Sequence, residues 1–397
     1  MTTNSAYGNV PLDPAIRSRF IANNNGLNVH ILEAGARAPD RPCVLLLHGF
    51  PELAYSWRKV MPVLAAAGYY VIAPDQRGYG RTTGWDASYD GDIRPFGQLN
   101  LVRDLVGLLS ALGYPSVDAV IGHDAGSLVA GCCGLIRPEI FRSVVMMSAP
   151  FTGAPRFAFG TAGHDSGATT DKHDIHAELA ALDPPRKHYH WYYSTREANA
   201  DMQNCPQGLH DFMRAYYHHK SADWKQNKPF RLQAWTASEL ARMPTYYIMR
   251  LDRNMAQTVA DEMPSAGQIA ACQWLPDDEL RVYSSEYARN GFQGGLQWYR
   301  CGTSGFNGSE LRLFSGCTID VPACFIAGRS DWGSYQRPGA LEMMQSETCT
   351  AMHDCHFVDG AGHWVQQEQP GQVSRLLLDF LANRVEKRTP PASRSSV

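Results

Sequence analysis

The chain has no long apolar run, and nothing in it approaches the roughly 20 consecutive residues that a membrane-spanning helix needs. It has no run of basic residues either, and a net charge of −3 offers no hold for nucleic acid or an anionic membrane. The start, Met1-Thr2-Thr3-Asn4-Ser5, carries neither the basic region nor the apolar core of a secretory leader. Among the 10 cysteines there is no CxxC pair, which removes the usual zinc and redox spacings. They are expected to be mostly buried apolar fillers, reduced, in a cytoplasmic protein. His173, Asp174 and His176 stand close together, but no further ligand follows at a metal-binding spacing, so no metal is expected.

What remains is the composition of a globular protein, with 44% hydrophobic and 19% charged residues in 397. Arg19-Phe20-Ile21-Ala22 and Leu27 to Leu32, joined by an Asn-Gly turn, predict a β-hairpin. Short apolar runs follow, as buried parallel strands show: Val44 to Leu47, Tyr70 to Ala73, Asp118 to Ile121 and Val144 to Met147. Between them Leu101, Leu105, Leu108, Leu109 and Leu112 share one helical face. The strand pattern returns at Ala323 to Ala327 and Phe357-Val358, with a closing helix near Val373 to Arg384. Strand alternating with helix predicts an α/β fold, a mostly parallel central sheet with helices on both faces.

From 150 to 317 the strand pattern lapses, and aromatic residues and helical spacing take over, as in Tyr189 to Tyr193 and Tyr216-Tyr217. This stretch is expected to be a mainly helical cap, inserted after the fourth or so parallel strand. Residues 1–149 and 318–386 then form the core, and the Pro- and Ser-rich tail 387–397 is expected to be disordered. The Gly- and His-rich portion from Gly160 to His176 is expected to be a surface loop or lid segment.

Gly122-His123-Asp124-Ala125-Gly126 lies between a strand pattern and a helix pattern, the setting of a nucleophile elbow in the α/β-hydrolase fold. An aspartate stands where an esterase carries serine. Alkylated at a saturated carbon, serine becomes an ether that water does not cleave. Aspartate becomes an ester, which an activated water can hydrolyse. Asp124 therefore points to attack on an sp3 carbon, as in an epoxide or an alkyl halide. The second step needs a base and an acid to orient it. His363, in Gly-Ala-Gly-His-Trp, and Asp331, in Gly-Arg-Ser-Asp, each follow a strand and keep the order nucleophile, acid, histidine. In this topology the N–H groups of Phe50 and Ala125 would form an oxyanion hole, with Pro51 fixing the turn.

His48-Gly49-Phe50-Pro51-Glu52, Asp75 to Gly80, the elbow, and Gly362-His363-Trp364-Val365-Gln366-Gln367-Glu368-Gln369-Pro370 together resemble soluble epoxide hydrolases. That resemblance implies two cap tyrosines that bind the epoxide oxygen and donate the ring-opening proton. Gly291 to Arg300 looks like the motif holding the second, Tyr299; Tyr189 best fits the first, with Tyr192 next. The pocket wall is expected to include His48, Pro51, Trp57 and His123 from the core motifs. Trp364 and the cap residues His190, Trp191 and Tyr192 are expected there too. No cofactor is implied; the partners are a small apolar epoxide and water, and the protein is a monomer or homodimer.

A dehalogenase of the same fold is the alternative reading, and His190-Trp191 is similar to the halide-holding pair of haloacetate dehalogenases. Those enzymes grip the substrate carboxylate with arginines just after the nucleophile, where this chain has Ala125 and Leu128; haloalkane dehalogenases have a Trp where it has Ala125. A third reading is a ligand-binding protein on a silent hydrolase fold.

Overall fold

The apolar runs become the strands of one eight-stranded sheet in a computed structural model, which describes residues 7, 12–22, 25–38, 41–157 and 174–385. β1 (Ile16–Ala22) and β2 (Asn28–Ala34) form the antiparallel hairpin, and β2 pairs antiparallel with β4 (Tyr70–Pro74). From there the sheet is parallel, through β3 (Cys43–Leu47), β5 (Ala119–His123), β6 (Val144–Met147), β9 (Ala323–Gly328) and β10 (Met352–Val358). The spatial order is β1-β2-β4-β3-β5-β6-β9-β10.

Side chains alternate between faces along each strand, and two apolar clusters result. Val44 and Leu46 of β3 pack on one side, with Trp57 and the aromatic residues between β6 and β9. Leu45 and Leu47 pack on the other, against Leu101, Leu105, Leu108 and Leu109 of the helix Gln98–Ala111. Buried on both faces, such strands cannot alternate apolar with polar, which is why their sequences read as continuous apolar runs.

Register sets what the sheet presents. Leu47 pairs with Gly122, Gly122 with Met146, and Met147 with Ile326, so β3, β5, β6 and β9 end side by side. The loops that follow them, and the loop after β10, open along one edge. They carry Phe50, Asp124, Ser148, Asp331 and His363.

Between β6 and β9 the chain is mostly helical, including the helices Leu209–Lys220, Asp277–Asn290 and Gln293–Thr303. It also holds a small antiparallel pair that the sequence pattern did not show, β7 (Arg186–His188) with β8 (Ile248–Arg250). At three residues each, these strands are too short to display a period. The tail 387–397 and residues 160–173 of the expected loop, His173 included, lie outside the described residues.

Candidate active site

Asp124 sits at the turn between β5 and the helix Ala125–Ile136, at φ +52° and ψ −120°. That left-handed region is costly for a side chain with a Cβ and is kept only where the surroundings impose it. Here the turn is forced by close packing. A Cβ on Gly122 would stand 2.0 Å from the Gly126 carbonyl oxygen, so strand and helix approach only with glycine there. The loop after β3 is as tight, since a Cβ on Gly49 would stand 2.4 Å from Asp124 Cβ. The next residue gains from that approach, because Phe50 N–H donates to Asp124 Oδ1 at 3.0 Å. The Phe50–Pro51 bond is cis.

His363 reaches in from the loop after β10. Its Nε2 lies 3.3 Å from Asp124 Oδ2, and its Nδ1 lies 3.1 Å from Asp331 Oδ1. Burial alone would raise the Asp124 carboxyl. His363, Lys220 and His123 more than offset it and hold the group well below the usual carboxylate range. Asp331 is likewise held low against its burial, by His363, Ser148 and the Gly333 N–H. The Asp124 and Asp331 carboxyls are both ionised at neutral pH.

Over this site stand two tyrosine rings from the cap. Tyr299, on the helix Gln293–Thr303, packs edge-on against Phe50 at 5.4 Å and lies 6.0 Å from the Tyr189 ring. The Tyr189 hydroxyl donates to Gln336 Oε1 at 3.2 Å and lies 2.7 Å from His190 Nε2. Burial raises both phenols well above their ordinary range, and the Asp124 charge raises each further. Both are therefore neutral O–H donors in the resting site. His190, lowered by burial to about 4, is a neutral imidazole beside them.

The α/β-hydrolase fold family matches residues 42–370. Epoxide hydrolase A of Mycobacterium tuberculosis is 33% identical over 370 residues, covering 91% of this chain and 96% of that protein. The chain belongs to the epoxide hydrolases of the α/β-hydrolase fold. Among solved structures, an epoxide hydrolase from an endophytic Streptomyces superposes with a TM-score of 0.74 at 28% identity, covering 94% of this hydrolase and 97% of that chain. Epoxide hydrolase A from Mycobacterium thermoresistibile gives 0.70 at 32% identity, covering 92% and 98%.

Several residues expected on the hydrolase's pocket wall are placed elsewhere. His48 is fully buried, with Nδ1 2.9 Å from the Gly49 carbonyl and Nε2 accepting the Gln76 N–H at 3.1 Å, so it ties two core loops together. Trp57 is buried in the core. Trp364 stacks on Tyr217 and donates its indole N–H to the Tyr217 carbonyl, though its ring edge also meets His363 at 4.6 Å. Trp191 packs on His176 and His188, and the Tyr192 hydroxyl donates to Asp201 at 2.9 Å. Of the two candidate first tyrosines, Tyr189 is the one that faces Tyr299. Pro51 accepts a hydrogen bond from Tyr217 through its carbonyl, and Ala125 opens the elbow helix. Among the described residues no group of three or more His, Cys, Asp or Glu side chains is arranged to hold a metal, and no helix is long and apolar enough to cross a membrane.

His123 also points away from the pocket. It pairs with Glu52 at 2.6 Å and lies 2.7 Å from the His363 carbonyl, so it braces the His363 loop from behind. Glu52 in turn accepts from Gln366 and Gln367 at 2.9 and 2.8 Å. Burial would lower the His123 imidazole, but the Glu52 carboxylate outweighs it and raises the group to about 8. Unfolded, it titrates near 6.5. A raised folded value means stability that is complete below about pH 6.5 and lost as pH climbs through about 8, some 2 kcal/mol in all. Urea unfolding at pH 6 and pH 9 tests this, and a His123→Gln chain should lose most of the difference between the two.

Ser148 was not anticipated from the sequence. At φ +71°, just past β6, it donates its hydroxyl to Asp331 Oδ2 and lies 2.9 Å from His363 Nδ1, bridging the two side chains. A serine after an apolar strand carries no spacing signal of its own, and only the strand register brings it there.

Proposed function

We propose that this hydrolase opens an apolar epoxide by attack of Asp124 on a ring carbon and releases a vicinal diol by hydrolysing the resulting ester. The observation that carries this reading is the placement of one ionised carboxylate between a base and two phenols. An Asp124 oxygen forms a bond to carbon from behind, and the ring C–O bond breaks. Its oxygen takes a proton from Tyr189 or Tyr299. As the ester forms, Asp124 loses the charge that had been raising both phenols, so proton transfer becomes easier at the moment it is needed.

In the second step His363 takes a proton from water, whose oxygen attacks the ester carbonyl carbon. The oxyanion forms where Phe50 N–H already donates, with Ala125 N–H as the second donor. The acyl C–O bond then breaks, and the leaving alkoxide takes the proton back from the His363 imidazolium. The acid proton of the regenerated Asp124 returns to the tyrosinate, and the diol leaves. Asp331 holds the imidazole by Nδ1 and stabilises the imidazolium, with Ser148 bridging the pair. The aromatic wall supports an apolar substrate, and the free cysteines support a reducing, cytoplasmic setting.

A single turnover of styrene oxide in ¹⁸O-water tests the route. The expected first diol carries only ¹⁶O, and ¹⁸O enters the Asp124 peptide. A first diol labelled with ¹⁸O would mean that water attacks the ring directly, and the covalent role of Asp124 would be lost.

A further inference from the structure

The loop that carries His363 is fastened to the cap as well as to the core. Its own N–H donates to the carbonyl of Lys220, the last residue of the cap helix Leu209–Lys220, at 2.9 Å. The two residues beside it are held by one carboxyl group. Glu368 Oε2 accepts the Gly362 N–H at 3.0 Å, and Oε1 accepts the Trp364 N–H at 3.0 Å. The same Oε2 also accepts the N–H of Ala222, just beyond the cap helix, at 2.8 Å. The contact is close, since a Cβ on Gly362 would stand 2.5 Å from the Ser221 carbonyl carbon. Glu368 touches none of the reacting atoms, and the chemistry above does not use it.

We propose that Glu368 is a positioning residue that makes alignment of the base and docking of the cap a single event. Its carboxyl spans both flanks of His363 and the cap chain. The register of the imidazole against Asp124 and Asp331 is therefore set only while Ala222 and Lys220 sit against the loop. The two steps of the reaction depend on that register unequally. Alkylation uses the Asp124 carboxylate and the two phenols. Hydrolysis requires His363 Nε2 within hydrogen-bond reach of a water at the ester, a placement that tolerates little drift. Loosening the clamp therefore slows the second step and spares the first.

The proposal rests on His363 acting as the base, so the test includes that residue. Glu368→Gln keeps size and shape but replaces one acceptor oxygen with a donor NH2 that faces a main-chain N–H. Single-turnover tryptophan fluorescence with styrene oxide would separate alkylation from ester hydrolysis in wild type, Glu368→Gln, Glu368→Asp and His363→Gln. Glu368→Gln is expected to hydrolyse the ester about 10- to 100-fold more slowly, as loss of a supporting partner commonly does. Alkylation should stay within about threefold of wild type, and Glu368→Asp, which keeps both acceptors, should recover part of the loss. A purely structural role would lower the melting temperature and the active fraction, and so the burst amplitude, without separating the two rates. Equal slowing of both steps, or slowing of neither, overturns the clamp. If Glu368→Gln does not fold, the split between the two rates in Glu368→Asp decides. If His363→Gln hydrolyses its ester at the wild-type rate, the base assignment itself has failed. If His363→Gln stalls and Glu368→Gln does not, only the clamp has failed.

Discussion

A His363→Gln enzyme is expected to open one epoxide per molecule and then stop. Glutamine fits the space but cannot take a proton from water, and the imidazole's contribution to the second step is worth about 10² to 10⁴ in rate. The first step survives, because the nucleophile does not depend on His363 alone. Lys220 and His123 also hold the Asp124 carboxyl low, and the Phe50 N–H donates to Oδ1 at 3.0 Å. Asp124 is thus expected to stay ionised at neutral pH with the histidine gone. The ester should accumulate to one equivalent and persist long enough for mass spectrometry to find the substrate mass on the peptide containing Asp124. Sustained diol release at the wild-type rate would remove His363 from the role of base. An absent adduct with no diol would place the defect in alkylation and show that the imidazole is needed to prepare the nucleophile.

Much of this arrangement was legible in the sequence, for physical reasons that also explain the gaps. Apart from the part-exposed edge strand β10, the parallel strands read as unbroken apolar runs because both faces are buried, and the elbow showed itself because its sharp turn admits only glycine at position 122. Asp331 stood out because it follows such a run with a turn, and His363 because its glycine-flanked turn follows the short apolar end of β10, Phe357-Val358. Side-chain direction was much less legible. His48 and His123 adjoin the key loops in sequence, yet successive residues of a strand point to opposite sides. His123 accordingly turns to Glu52 while Asp124 faces the site. In the cap, Tyr189 and Tyr192 lie within one short helix, and only the packing shows which hydroxyl goes to Asp201 and which ring meets Tyr299. Ser148 and Glu368 were missed because both act across long separations in the chain. Ser148 reaches residues 183 and 215 positions away, and Glu368 joins its own loop to a cap residue 146 positions earlier.

Removing both cap hydroxyls, Tyr189→Phe with Tyr299→Phe, is expected to abolish ring opening, whereas either change alone should leave it measurable. A buried hydrogen bond to a developing charge is worth about 1.5 to 3 kcal/mol, so each single variant should alkylate about 10- to 100-fold more slowly. The double variant should fall further than the two losses combined, because the alkoxide is then left with no donor in a site closed by aromatic rings. Affinity for the epoxide should fall less than the alkylation rate, since the oxygen carries little charge until the ring breaks. The Asp124 charge makes a second measurement possible. That charge raises both phenols, and it disappears on alkylation. Phenolate absorbance should therefore appear at lower pH in alkylated His363→Gln enzyme than in the same enzyme before substrate is added. The change should vanish in the double phenylalanine variant carried on His363→Gln. If alkylated and free enzyme titrate alike, the phenols do not sense Asp124, and the matched timing of nucleophile and acid fails even where the two tyrosines still bind the oxygen.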